Sequence, residues 1–86
     1  MNLKPLGVNK IELSFNDEND TRVLFSYETP VAYTQLTSEG KLYFIVDKFY
    51  SNTTSRHINS WLPKALAHKT TEGNIKLLID SFGKGE

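Results

Sequence analysis

Lys41-Leu42-Tyr43-Phe44-Ile45-Val46-Asp47 is the most apolar run of the chain, five large apolar side chains bounded by charges. Its length and its content of β-branched and aromatic residues read as a strand. Alternate side chains of a strand point to opposite faces, so this one is apolar on both. Either it lies centrally with both faces covered, or it offers an aromatic face for contact. Upstream, Lys10–Phe15 alternates, with Ile11, Leu13 and Phe15 on one side. After the polar turn Asn16–Asp20, Thr21–Tyr27 places Val23, Phe25 and Tyr27 opposite Arg22, Leu24 and Ser26. These two strands read as a hairpin. Proline lacks the N–H a ladder needs, so Glu28-Thr29-Pro30 interrupts the sheet and a third strand is expected over Val31–Leu36. Thr37-Ser38-Glu39-Gly40 then supplies a turn, with glycine where a positive φ is required.

The apolar run leads into Ser51-Asn52-Thr53-Thr54-Ser55-Arg56-His57-Ile58-Asn59-Ser60-Trp61-Leu62, which reads as a helix entrance. Thr53 or Thr54 is placed to cap the first free N–H groups, Arg56 and His57 then fall in the first turn, and Ile58, Trp61 and Leu62 have the spacing of a buried face. Pro63 biases Leu62 away from helical angles, so the helix is expected to be short. In the last element Thr70 or Thr71 caps, Ile75, Leu78, Ile79 and Phe82 recur at helical spacing, and Gly83 is expected to end the helix in the left-handed conformation. Met1–Gly7 and Gly83–Glu86 read as frayed ends. The expectation is one α+β domain over 1–86, a four-stranded antiparallel sheet of two hairpins followed by one or two short C-terminal helices packed on one face.

At 86 residues a single core must suffice, and ten aromatic rings help to fill it. Without cysteine there is neither a disulfide framework nor a thiolate metal site. Met1–Val8 lacks the apolar segment of a signal peptide, and no run approaches the roughly 20 apolar residues of a membrane span, so a soluble intracellular protein without membrane partners is expected. The formal net charge of zero disfavours broad attachment to nucleic acid or anionic membrane. That average covers an acidic first half and a basic second half: residues 1–40 hold three basic and six acidic side chains, residues 41–86 seven and four.

Catalytic signatures are lacking. Ser55 and His57 are near in sequence but without the geometry of a nucleophile and its base, and no G-x-S-x-G elbow occurs. Read as a calcium loop, the acidic turn has Thr21 where position six needs glycine and Tyr27 where position twelve needs glutamate. A zinc site has only His57, His68 and carboxylates to draw on, without H-E-x-x-H spacing, and no glycine-rich phosphate loop precedes a helix. No enzyme activity and no cofactor are expected. The candidate binding residues are Lys41, Tyr43, Lys48, Tyr50, Thr53, Thr54, Ser55, Arg56 and His57. In one reading hydroxyls and Arg56 converge on a phosphate of DNA or RNA, Lys41 and Lys48 form a basic margin, and Tyr43, Phe49 or Tyr50 stacks on bases. In the other, the Lys41–Tyr50 aromatics form a protein-binding surface or an edge for strand addition, which the neutral charge suits better. Against both stands a structural account in which Thr54 caps, Arg56 pairs with an acidic loop, Trp61 is core and the tyrosines fill the sheet.

Ser26-Tyr27-Glu28-Thr29-Pro30-Val31-Ala32-Tyr33 and Tyr50-Ser51-Asn52-Thr53-Thr54-Ser55-Arg56-His57-Ile58-Asn59-Ser60-Trp61-Leu62 together resemble a family of short uncharacterised bacteriophage and plasmid proteins, with the pattern S-Y-x-T-P-V-A, an aromatic strand, then Y-S-x-T-T-S-R-H-I-N-x-W-L. The likeness covers about Val23–Leu62. It implies a mobile-element origin and a cytoplasmic location in a bacterial host. Small proteins of that kind are often accessory factors that bind and block a host enzyme, including defence machinery, or act on nucleic-acid metabolism. The expectation is therefore a non-catalytic module that modulates a host protein, with direct nucleic-acid binding as the alternative.

Overall fold

A computed structural model describes residues 2–7, 9–48 and 50–84. Six strands, β1 (Asn2–Gly7), β2 (Lys10–Ser14), β3 (Arg22–Ser26), β4 (Thr29–Thr37), β5 (Gly40–Val46) and β6 (His68–Thr70), form one sheet in chain order. The first five are antiparallel and β6 joins β5 in parallel. Helix α1 (Asn52–Trp61) and a short 3-10 turn (Lys64–Leu66) connect β5 to β6, and α2 (Glu72–Lys84) follows. The α+β class holds, and the sheet has two more strands than expected.

The helices do not share a face. Ile58 and Leu62 of the α1 segment pack with Leu24, Val31, Ala32 and Ile45. Ile75 of α2 packs with Leu13, Val23 and Val46, and Ile79 lies against the same group. Neighbours along one strand thus serve opposite cores: Val23 and Leu24, Ala32 and Tyr33, Ile45 and Val46. The expectation that the helices cover one face is overturned because the central strands are apolar on both sides, and leaving either side wet would forfeit about 1.5–3 kcal/mol for each large side chain. The aromatic residues of β5 are absorbed in the same way. Tyr43 lies against the α1-side core, and Phe44 stacks on Tyr33 at 4.5 Å. The β5 edge is filled over Phe44–Val46 by β6, so it is not free there for strand addition.

Pro30 lies inside β4, which begins at Thr29 and not at Val31. It is tolerated because the register shifts beside it: Leu24 opposes Ala32 and Phe25 opposes Pro30, leaving Val31 as the extra residue of a bulge. Val31 and Ala32 consequently both serve the α1-side core. Asn2–Gly7, expected to fray, is an edge strand. The bonds from Phe15 N to Thr21 O and from Tyr27 N to Asn9 O commit alternate residues of β2, Ile11 among them, to β3. Pro5 opposes Ile11, so its nitrogen faces outward, costs the ladder nothing and blunts the edge. Gly40 adopts φ 124°, the positive value required of its turn.

The acidic turn is pinned from within. Asp17 accepts hydrogen bonds from the amide and hydroxyl of buried Thr21 at 2.6 and 2.7 Å. At the other end of the chain α2 continues through Gly83 to Lys84, so that glycine does not end it. Thr71 caps this helix, its Oγ1 accepting from Asn74 N at 3.1 Å. Phe49 and the side chains of Phe82 and Lys84 lie outside the described residues. No helix among those described is long and apolar enough to cross a membrane.

Ile75 is fully buried and is the main anchor of α2. Ile75→Ala is expected to cost about 2–5 kcal/mol in urea denaturation. A loss under about 1 kcal/mol would contradict the placement of α2 on the second face.

Candidate binding face on the first helix

Helix α1 begins two to three residues earlier than the threonines suggested. Ser51, not Thr53 or Thr54, is the N-cap: its backbone is extended and its Oγ accepts from Thr54 N at 3.1 Å. Arg56 and His57 accordingly fall in the second turn. The helix stops at Trp61, and Leu62 is extended, as a residue before proline prefers. Thr54 and Ile58 point into the protein, Trp61 and His57 are half-buried, and Asn52, Thr53, Arg56, Asn59 and Ser60 are exposed. The guanidinium and the indole thus leave the helix in different directions. Trp61 Nε1 donates to Glu12 Oε1 at 2.8 Å, and the other carboxylate oxygen of Glu12 takes Arg22 at 3.3 Å.

A chain of hydroxyls fastens α1 to the end of β3. Ser51 Oγ donates to Thr54 Oγ1 at 3.2 Å, Thr54 Oγ1 meets Ser26 Oγ at 2.9 Å, and Ser26 Oγ meets His57 Nδ1 at 2.9 Å. Ser26 and Thr54 are 2% and 4% exposed, so water does not compete for the bond between them. The arrangement unites a serine and an imidazole distant in sequence, yet it is not that of an activated nucleophile. The serine is sealed under the helix and already bonded to Thr54, and no carboxylate orients the ring among the described residues.

Beside His57 stands Tyr27, about half exposed, with ring centroids 6.2 Å apart. It forms with Glu28 the two-residue turn between the paired residues Ser26 and Thr29. Both turn residues have positive φ, 60° and 107°, a conformation that asparagine and glycine adopt readily and these residues do not. Tyr27 also borders a shallow cavity of about 390 Å³ with Tyr50, Ser51, Thr53 and Thr54. Lys10 reaches the same flank of α1 and donates to Ser60 at 2.6 Å.

The structure groups most of the sequence-selected residues and separates two. Thr53, Thr54, Ser55, Arg56 and His57 share α1, with Lys48 and Tyr50 at its entrance. Lys41 and Tyr43 stand apart from this group, near the start and at the middle of β5, so Lys41 does not margin the helix entrance. Arg56 has no ion-pair partner among the described residues, in place of the acidic loop considered from sequence. Lys48, by contrast, pairs with Glu72 at 2.8 Å, and Tyr50 OH donates to the same carboxylate oxygen at 2.8 Å. The hydrogen bonds from Lys48 and Tyr50 hold the Glu72 carboxyl below its ordinary range. Burial, reinforced by Glu72, pushes the Tyr50 phenol up. Partial burial alone would raise the Asp17 carboxyl, but the hydroxyl and amide of Thr21 outweigh it and bring the value down. No group of three or more His, Asp or Glu side chains gathers to hold a metal among the described residues. Sequence reasoning missed Tyr27, Lys10 and Ser26, which reach the site through β-pairing and through a turn lacking the usual asparagine-glycine signature.

A family model described as a family of unknown function (DUF8033) matches residues 1–77, so the chain belongs to that family. No curated protein and no solved structure matches it.

Two measurements bear on this geometry. Asp17 and Glu72 are lowered on folding, so the stability they contribute is present above their ordinary values of 3.8 and 4.5 and is lost as pH falls through the folded values. Denaturation midpoints are expected to hold steady from neutral pH and fall below about pH 4.5, and less steeply in Asp17→Asn and Glu72→Gln. An unchanged acid limb in both variants would contradict these bonds. Glu28→Gly relieves the positive φ and is expected to raise stability by about 1 kcal/mol. Destabilisation would show that the glutamate side chain compensates for its backbone.

Proposed function

We propose that this member of the DUF8033 family is a non-catalytic binding module, and that the outer face of α1 with the Tyr27 tip seats an acidic patch of a partner protein in a bacterial host. The observation that carries the reading is Arg56: an exposed guanidinium, without an ion pair among the described residues, on a helix with no carboxylate. Around it stand Asn52, Thr53, Asn59 and Ser60, adaptable hydrogen-bonding groups of the kind recognition surfaces favour. Arginine and tyrosine dominate the energetics of protein interfaces, and backbone strain of the kind seen at Tyr27 collects where function demands a fixed side chain. A catalytic reading finds less support, because the serine and imidazole are consumed in holding the helix. The resemblance to bacteriophage and plasmid proteins supports a host partner, nucleic-acid-processing and defence enzymes included, whose action the module modulates or inhibits.

Direct binding of DNA or RNA has a weaker basis. Arg56 is the one lysine or arginine of α1, and Lys10 beside the helix already donates to Ser60, so few cations gather on this face to displace counterions.

Tagged chain is expected to recover a stoichiometric partner from host lysate, and Arg56→Glu and Tyr27→Ala are each expected to weaken that complex about 30-fold while circular dichroism stays unchanged. Recovery at wild-type level by both variants would refute the reading. So would an empty pull-down with labelled DNA or RNA retained at low salt and lost as salt rises, which would favour the nucleic-acid alternative.

A further inference from the structure

We infer that the crevice at the carboxyl ends of β5 and β6 binds a small organic anion, an apolar body bearing one phosphate or carboxylate group. This goes beyond the reading of the α1 outer face and does not draw on it. β5 and β6 run parallel; the chain leaves β5 for a helix on one face of the sheet and leaves β6 for a helix on the other. Where successive connections diverge in this way, neither closes the gap outside the strand ends, and open sheets take their ligands there.

A cavity of about 340 Å³ occupies that place on the α1 side, within the size range of small-molecule sites. Ile45 and Ile58 give it an apolar wall, while Lys48, Lys69, Asp47 and Ser55 supply its polar groups. Ser55 lies on the flank of α1 away from His57, which turns toward Ser26. The lining residues include two lysines and one aspartate; Glu72, which pairs with Lys48, is not among them.

Neither lysine is locked. Lys69 lies 3.5 Å from Asp47, and both side chains are well exposed, an arrangement in which attraction is weak and an incoming anion competes readily. Lys48 is oriented rather than buried: its ammonium sits 2.8 Å from Glu72 and 5.1 Å from the centre of the Tyr50 ring. An ammonium has three N–H groups, and Glu72 occupies one, leaving donors for a second acceptor. The Tyr50 hydroxyl shares the Glu72 oxygen, so one carboxylate ties the starts of α1 and α2 together beside Lys48. A bare phosphate leaves the isoleucine wall uncovered and a neutral ring leaves the lysines unused. A molecule with both parts satisfies both.

The test is an NMR titration of the isotope-labelled intact chain with phenyl phosphate, benzoate, inorganic phosphate and benzyl alcohol, the first two separating the phosphate and carboxylate sources of the charge. Saturable shifts are expected at the amides of Asp47, Lys48, Ser55 and Lys69 with phenyl phosphate or benzoate, and weaker ones with inorganic phosphate and benzyl alcohol. Lys48→Gln with Lys69→Gln is expected to weaken binding about tenfold or more, and Lys4→Gln on β1 to leave it unchanged. Each single variant is read as well, since both side chains are more than half exposed and their replacement spares the core. Absence of saturable shifts at these amides, equal affinity for benzyl alcohol, or undiminished affinity in the double variant would overturn the inference.

Discussion

The structure depends on burying both faces of strands β3 to β5. Val23, Leu24, Val31 and Ala32 are wholly inaccessible to water, a state no single layer of helices could provide. The antiparallel meander uses up the first half of the chain without covering either face, so the remainder must supply two covers on opposite sides. It does so with one crossover: α1 packs on the first face, β6 returns in parallel, and α2 emerges on the second. The parallel pair at the edge of an otherwise antiparallel sheet is a consequence of that demand.

The same constraint positions both proposed sites. Because α1 must lie flat on the α1-side core, its outer face is fixed in orientation, and the buried hydroxyl chain from Ser51 through Thr54 and Ser26 to His57 fixes its rotation and its height above β3. Those polar groups are conspicuous in sequence as possible chemistry, and in the structure their hydrogen bonds fasten the helix to β3. What they hold outward is Arg56. Since α1 and α2 depart to opposite faces, a gap stays open between them at the strand ends, bridged by Glu72.

Much of this was legible in the residues. Four strands, the Pro63 break, the inward set of Ile58, Trp61 and Leu62, and the glycine turn at Gly40 follow from periodicity and backbone chemistry. Other parts were not. β1 carries Pro5 and lacks clean alternation, and it is a strand only because its proline faces outward. β6 is three polar residues long, too short to show a period, and exists through pairing with β5. Ser26 reads as a solvent-facing position of an alternating strand, and only the threonine arriving from α1 makes its burial affordable. Tyr27 reads as the last residue of that strand, and only the pairing of Ser26 with Thr29 reveals it as a strained turn. In each case the missing information was a partner distant in the chain.

The central claim, that the two helices cover opposite faces, is tested most directly by methyl nuclear Overhauser effects in solution. The structure predicts contacts from Ile58 to Leu24 and Ile45, and from Ile75 to Val23 and Val46, with none crossing between the sets. Contacts from both isoleucines to the same strand side chains would put the helices on one face and contradict the account.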